Sequence, residues 1–143
     1  YFNELKRVSV NQIIWGANYM IDKIQTPSPC WIMWDKGFSE DVSFAQYELA
    51  WTSFTSSAKK FDKSPNQPNR IHPTQKPVKL YEWLLDNYAK EGDKILDTHL
   101  GSGSIALACH NRKFDLDAWE IDEEYYNNAK KRVKQHMAQQ TLF

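Results

Sequence analysis

The stretch Lys94-Ile-Leu-Asp-Thr-His-Leu-Gly-Ser-Gly-Ser104 constrains this chain more than any other part of it. Lys94 to Asp97 is a short apolar run closed by an acid, which predicts a buried strand ending in a carboxylate. Gly101 and Gly103 allow a tight turn and close backbone approach by a ligand. From Ser104 to His110 the pattern predicts a helix whose N-terminus opens onto that turn. Strand, glycine turn and helix form the front half of a nucleotide-binding α/β unit.

The turn also discriminates between nucleotides. Gly101 to Ala106 fits the loose dinucleotide fingerprint, which accepts alanine in its last place. Asp97, however, stands at the mouth of the same turn. A pyrophosphate there would face a carboxylate, an unfavourable interaction of roughly 3 kcal/mol at about 5 Å and an effective dielectric of about 20. A ligand that carries an ammonium and a sulfonium, as S-adenosylmethionine does, is favoured over NAD.

A second strand is predicted from Phe114 to Ile121, with Glu120 and Asp122 at its end. An acid at that position can accept hydrogen bonds from ribose hydroxyls. Glu120 therefore indicates a nucleoside without choosing between dinucleotide and methyl donor. Asp122 and Glu123 suit the start of the following helix better.

At 143 residues the chain can bury a core of its own, and it is expected to form a single domain or part of one. It opens on Tyr1 rather than Met and is expected to begin partway through a natural protein. Eighteen Lys and Arg against 18 Asp and Glu give zero net charge, which leaves nucleic acid open because a groove can be locally basic. No apolar run approaches the roughly 18 residues of a membrane span, and nothing resembles a signal peptide. Cys30 and Cys109 stand alone, so neither a disulfide framework nor a zinc site is indicated. A reducing, cytoplasmic compartment is the expectation. The histidines are scattered: His99 reads as a spacer in the turn, His110 and His136 as surface groups, and no metal site is expected.

Taken in order, Tyr1 to Val8 predicts the end of an amphipathic helix. Asn11 to Tyr19 reads as a strand running into a turn at Gly16, Cys30 to Asp35 as a buried strand, and Tyr47 to Phe54 as a third, preceded by a possible short helix over Asp41 to Gln46. Strands this close together suit the antiparallel end of a mixed sheet. Thr55 to Asn69 is a polar connection, made basic by Lys59, Lys60 and Lys63 with Arg70 just beyond, and reads as a solvated linker or a loop touching phosphate. A helix is predicted from Val78 to Ala89, with Pro77 at its start. Another is predicted from Asp122 to Met137, with Tyr125, Tyr126, Ala129 and Val133 inward and Lys130 to Arg132 and Lys134 on a solvated face.

His72-Pro-Thr-Gln-Lys-Pro77 upstream of Leu96-Asp-Thr-His-Leu-Gly-Ser-Gly-Ser104 resembles the amino-group DNA methyltransferases of the permuted β class. The resemblance runs over nearly the whole chain, since Asn11 to Tyr19, Trp31 to Lys36 and Glu48 to Phe54 also look like strands of that family's target-base half. It implies a Rossmann-like α/β/α sandwich in three layers around a mixed, mostly parallel sheet, incomplete here. Residues 1–143 would form one domain: 1–54 the target-base half, 55–69 a loop, and 70–143 the cofactor half. The implied cofactor is S-adenosylmethionine. Its methionine part would lie against Asp97, Gly101 and Gly103, framed by Thr98, Leu100, Ser102 and Ser104. Glu120 would hold its ribose and Ile121 would pack on its adenine. His72, Pro73, Thr74, Gln75 and Lys76 would close the pocket, with Lys76 near the methionine carboxylate.

The chain departs from that family in two places. The family's chemistry rests on an Asp/Asn/Ser-Pro-Pro-aromatic tetrapeptide, and none occurs here. In the permuted order it belongs upstream of Tyr1, so no catalytic residue is assigned within this chain. Many relatives also insert a target-recognition domain where Thr55 to Asn69 stands. The implied reaction is in-line methyl transfer to the exocyclic amine of a base flipped out of double-stranded DNA, adenine N6 first and cytosine N4 second. Implied partners are DNA and either a second copy or an upstream part of the same protein, with no membrane. The rivals are a fragment that holds donor or DNA without catalysis, and an NAD-linked oxidoreductase tolerant of Asp97→Asn.

Overall fold

The computed structural model describes residues 1–39, 41, 43, 45–66 and 70–140, with Gln140 described for its backbone alone. The chain divides into two compact units, Tyr1–Ser64 and Pro65–Phe143.

The first unit opens with α1 (Phe2–Val8), β1 (Ile13–Trp15), a 3-10 turn at Ala17–Tyr19 and α2 (Ile21–Ile24). It continues with β2 (Trp31–Asp35), β3 (Tyr47–Thr52) and β4 (Lys59–Asp62). Gly16 adopts the left-handed φ of 69° and ends β1, so the expected strand stops at Trp15. The four strands lie in the order β1-β3-β2-β4. β3 runs antiparallel to both neighbours, with Ile14 opposite Trp51 and Ile32 opposite Ala50, whereas β4 runs parallel to β2. Alternation along β2 buries Ile32 and Trp34 and leaves Trp31, Met33 and Asp35 half-exposed, the period of two that strand geometry imposes.

One cluster of this unit joins Ile14, Ala17, Ile24 and Trp51, with Phe2 and Leu5 of α1 packed against it. The buried indoles keep their N–H groups paired: Trp51 donates to the Thr26 carbonyl at 2.8 Å and Trp34 to the Lys63 carbonyl at 2.7 Å.

β4 corrects the reading of Thr55 to Asn69 as a plain connection. With Phe61 as its one large apolar residue, the segment carries little strand pattern of its own. The open edge of β2 supplies backbone partners, and Lys60 bridges Asp35 at 2.9 Å and Asp62 at 2.7 Å. Residues 67–69 of that connection lie outside the described residues. So do Val42 and Phe44 in the short helix expected over 41–46, whose described residues are not helical.

The second unit contains α3 (Val78–Tyr88), β5 (Lys94–Asp97), α4 (Ser104–Arg112), β6 (Asp115–Ala118) and α5 (Glu123–Gln140). β5 and β6 pair in parallel, Lys94 opposite Asp115 and Asp97 opposite Ala118, with α4 as the crossover. Leu85, Ile105, Ala108 and Cys109 form the buried cluster beneath α3 and α4, with Ile95, Leu100, Phe114 and Leu116 against it. The expected strand from Phe114 to Ile121 shortens because the chain leaves the ladder after Ala118 and bends over the turn. Trp119 still donates to the Asp97 carbonyl at 2.9 Å, and Leu100 donates to the Trp119 carbonyl at 2.8 Å.

Asp122 caps α5 by accepting the N–H of Tyr125 at 2.9 Å. The inward stripe of α5 is Tyr125, Ala129, Arg132, Val133 and His136. Tyr126, expected inward, flanks that stripe and stays exposed, with Lys130 Nζ 5.7 Å from its ring centre. Thus the mixed α/β character expected from the sequence is present, with antiparallel and parallel pairing in the first unit and parallel pairing in the second.

Candidate functional site

β5 delivers Asp97 to the start of the glycine turn. The Asp97 carboxylate accepts the N–H of His99 at 2.9 Å, and burial pushes its pKa above the ordinary aspartate value, with Glu120 adding to the rise. His99 and Lys76 act in the opposite direction. A carboxylate in this condition gains from a cation placed beside it.

The turn itself needs both glycines. Gly101 and Gly103 have φ of 53° and 74°, left-handed values that a side chain disfavours. Gly103 is also tight against α5: a methyl there would stand 3.2 Å from the Ala129 side chain. The N–H of Gly101 donates to Glu120 at 2.8 Å and the N–H of Asp122 to the other oxygen of the same carboxylate at 3.0 Å. The backbone donors of Asp122 and Gly101 hold Glu120 below the ordinary glutamate pKa, so it is ionised at neutral pH.

His72 lies against the turn at Gly101. A methyl at Gly101 would lie 3.7 Å from its imidazole, and its ring meets that of Tyr125 edge-on at 4.3 Å between centres. His72 Nδ1 accepts the N–H of Thr74 at 3.2 Å. Arg70, Ile71, His72, Pro73 and Tyr125 line an open depression of about 330 Å³. Gln75 is turned inward, 3% exposed, where its Oε1 accepts the N–H of Ile71 at 3.0 Å and closes the segment on itself. Pro73 and Thr74 are exposed and Lys76 is half-buried.

Of the other residues that the sequence assigns to the turn, Thr98 is half-buried with its hydroxyl 3.0 Å from His99 Nδ1, and Leu100 packs into the core. Ile121 is fully exposed beside Glu120. The Ser102 and Ser104 hydroxyls are buried and lie 3.1 Å from each other, facing into the unit. Arg132, which the sequence places on a solvated face, is half-buried instead. Its Nη1 donates to the Ser102 carbonyl at 2.8 Å and to Ser104 Oγ at 2.9 Å. The signal that could have found it is its spacing, three residues after Ala129 and seven after Tyr125 on one helical stripe.

His136 is likewise drawn off the surface: its Nε2 lies 2.7 Å from Asn111 Oδ1, and burial first, then His110, lowers its pKa. A second hollow of about 680 Å³, lined by Glu82 and residues 109–115, lies at the far end of α4 and shares no residue with the turn. Burial pushes the Cys109 thiol up to about 12, so it is no nucleophile. Among the described residues no three His, Cys, Asp or Glu come together as a metal site.

The chain can now be set beside known proteins. It is 37% identical over 68 residues to the type II methyltransferase M.HpaI of Haemophilus parainfluenzae, covering 48% of this chain and 22% of that protein. It is 37% identical over 92 residues to M2.DpnII of Streptococcus pneumoniae, covering 62% of this chain and 31% of that protein. The chain thus spans between about a fifth and a third of the length of these curated relatives. In structure it resembles M1.HpyAVI, solved as a complex with SAM, with a TM-score of 0.70 at 24% identity over 86% of this chain and 74% of that one. It also resembles the cytosine-N4-specific PvuII DNA methyltransferase, with a TM-score of 0.61 at 14% identity over 83% of this chain and 59% of that one. These likenesses establish a shared Rossmann-like α/β fold. The family model described as DNA methylase, N6_N4_Mtase, matches residues 8–131, so the chain belongs to that DNA methylase family.

Proposed function

We propose that this chain is the donor-binding part of a site-specific DNA methyltransferase that acts on the exocyclic amine of adenine N6. The observation that carries the reading is the meeting, at one glycine turn, of Asp97 from β5, Glu120 from beyond β6 and His72. Two acids at the turn suit a cationic ligand and oppose a pyrophosphate. A half-buried carboxylate with a raised pKa fits an ammonium group, and a fully exposed Ile121 next to Glu120 fits the face of an adenine. The residues present therefore fit S-adenosylmethionine.

In this reading Asp97 takes the ammonium. Glu120 keeps acceptor capacity for ribose hydroxyls, because its two backbone donors use only part of its lone pairs. Gly101 and Gly103 bring backbone close to the methionine chain, with Thr98, Leu100, Ser102 and Ser104 as its frame. His72 to Lys76 close the depression beside Tyr125. S-adenosylmethionine, when bound, supplies a methyl group made electrophilic by its sulfonium. The protein's task is then to hold and orient. The target base is flipped out of double-stranded DNA to reach the site. The residues that accept its amino protons belong to a segment outside this chain. The family match over residues 8–131 takes in most of both units; residues 1–54 act as the target-base half and 70–143 as the cofactor half of one domain, joined by the loop 55–69. A second copy or a further part of the same protein completes the site, and a DNA substrate puts the protein in the cytoplasm. No described helix is long and apolar enough to cross a membrane.

The likeness in fold to a protein named as cytosine-N4-specific supports cytosine as the second choice. Calorimetric titration with S-adenosylhomocysteine tests the donor reading: wild type binds, and Asp97→Ala weakens binding at least about tenfold. A folded wild type that takes no ligand overturns it. Mass spectrometry of nucleosides from methylated DNA then distinguishes N6-methyladenine from N4-methylcytosine.

A further inference from the structure

Arg132 stands at the end of a chain of observations that the donor reading does not use. Its guanidinium is half-buried on α5, desolvation lowers its pKa, and among the described residues no carboxylate pairs with it. A cation taken out of water without a counter-charge is costly, and an apolar side chain of similar length would avoid the cost. The hydrogen bonds that offset this cost run to the glycine turn.

What Arg132 touches supplies an account. A single nitrogen, Nη1, reaches the carbonyl of Ser102 and the hydroxyl of Ser104, the residues on either side of Gly103. A turn with two glycines is loose by composition, because each glycine has access to both signs of φ. Glu120 holds this turn at Gly101, and Arg132 holds it at Ser102 and Ser104. Both residues lie on the segment that follows β6. The turn is thereby fixed from outside itself. The same guanidinium puts a positive charge beneath the first turn of α4, whose N-terminus is already the positive end of that helix. Asp97 stands at the other end of the turn as its negative pole.

We propose that Arg132 is a positioning residue for the amino-acid end of the donor. By fixing the turn and setting a positive pole opposite Asp97, it makes the site selective for a zwitterionic amino-acid group attached to the nucleoside. The inference rests on the donor reading above and names the residue through which the turn recognises that end of the ligand.

Two probes separate the parts of the ligand. S-adenosylhomocysteine carries the amino-acid end, and 5′-methylthioadenosine keeps the nucleoside and sulfur without it. Affinities of both are measured for wild type, Arg132→Met, Arg132→Lys and Ser104→Ala, each shown to be folded by circular dichroism. Arg132→Met is expected to lose about tenfold or more in affinity for S-adenosylhomocysteine while 5′-methylthioadenosine changes less than about twofold. Arg132→Lys, which keeps the charge, recovers part of the loss, and Ser104→Ala loses less on the same probe. Should Arg132→Met not fold, the lysine and alanine variants carry the same comparison. Equal losses for both probes, or no loss for either, overturn the positioning role and leave the donor reading standing. A folded wild type that binds neither probe overturns the donor reading and this inference with it.

Discussion

The carboxylate of Glu120 accepts the backbone N–H of Gly101 at 2.8 Å and so ties the chain leaving β6 to the turn leaving β5. A surface acid would spend both oxygens on water. This one spends them on two backbone donors, Gly101 and Asp122. Glu120→Ala removes both bonds and frees the turn. We expect S-adenosylhomocysteine affinity to fall about 10- to 100-fold, in line with hydrogen bonds to a charged group. Glu120→Gln, which keeps one acceptor oxygen, falls between that variant and wild type. Calorimetry on the three proteins checks the order.

Asp97 sets function against stability. Burial raises its pKa in the folded protein, so the folded state holds a proton that the unfolded chain has already released. Stability therefore falls as pH rises through the window between the two values, and at neutral pH the ionised group is a standing cost. Asp97→Asn should leave the melting temperature of the unliganded protein equal or higher at neutral pH while weakening S-adenosylhomocysteine at least about tenfold. Wild-type affinity should decline in mild acid, at a higher pH than an ordinary aspartate would give. Thermal melts and titrations at two pH values read both effects.

Gly103 and Gly92 make a matched pair. Both have positive φ, 74° and 87°, but an added methyl meets Ala129 at 3.2 Å at the first and nothing within 4 Å at the second. Gly92→Ala should cost only backbone strain, about 1–2 kcal/mol. Gly103→Ala should cost more, because α4 must also move from α5, and it should lose ligand affinity as well. Urea unfolding of the two variants gives the difference directly.

Glu82 on α3 is 3% exposed and takes Lys79 Nζ at 2.6 Å and Asn111 Nδ2 at 2.7 Å, with Arg112 3.5 Å away. Burial alone would raise its pKa, but those partners outweigh it and hold Glu82 below the ordinary value. The sign is the usual one for a paired acid: its contribution is present above the unfolded-state pKa and is lost as pH falls through the folded one. Glu82→Gln should flatten the acid limb of the stability curve, and Glu82→Ala should cost about 1–3 kcal/mol at neutral pH. Acid titration followed by circular dichroism measures both.

The elements legible in the sequence are those whose own residues carry the pattern. β5 runs from Lys94 to Asp97 as expected, and α4 begins at Ser104 as expected. α3 starts at Val78 after Pro77 and stops within a residue of its expected end. β4 was not legible, because Lys59 to Asp62 becomes a strand only when the edge of β2 supplies partners. Arg132 was legible only in its spacing on the stripe of Tyr125 and Ala129, and its own neighbours pointed the other way. Lys-Lys-Arg on a charged helix looks like a solvated face until the serines of another segment arrive to accept its hydrogen bonds.

The sequence by itself determined the nucleotide-binding unit: an apolar run closed by Asp97, two glycines that tolerate left-handed φ, and a helix start. Those are local properties, set by side-chain apolarity and backbone sterics within a few residues. Only the tertiary structure decided which groups hold that unit in place. Glu120 on Gly101, His72 over the same glycine and Arg132 on Ser102 and Ser104 join positions far apart in the chain. Such contacts depend on burial and on the exact fit of distant segments, which no local pattern of residues encodes.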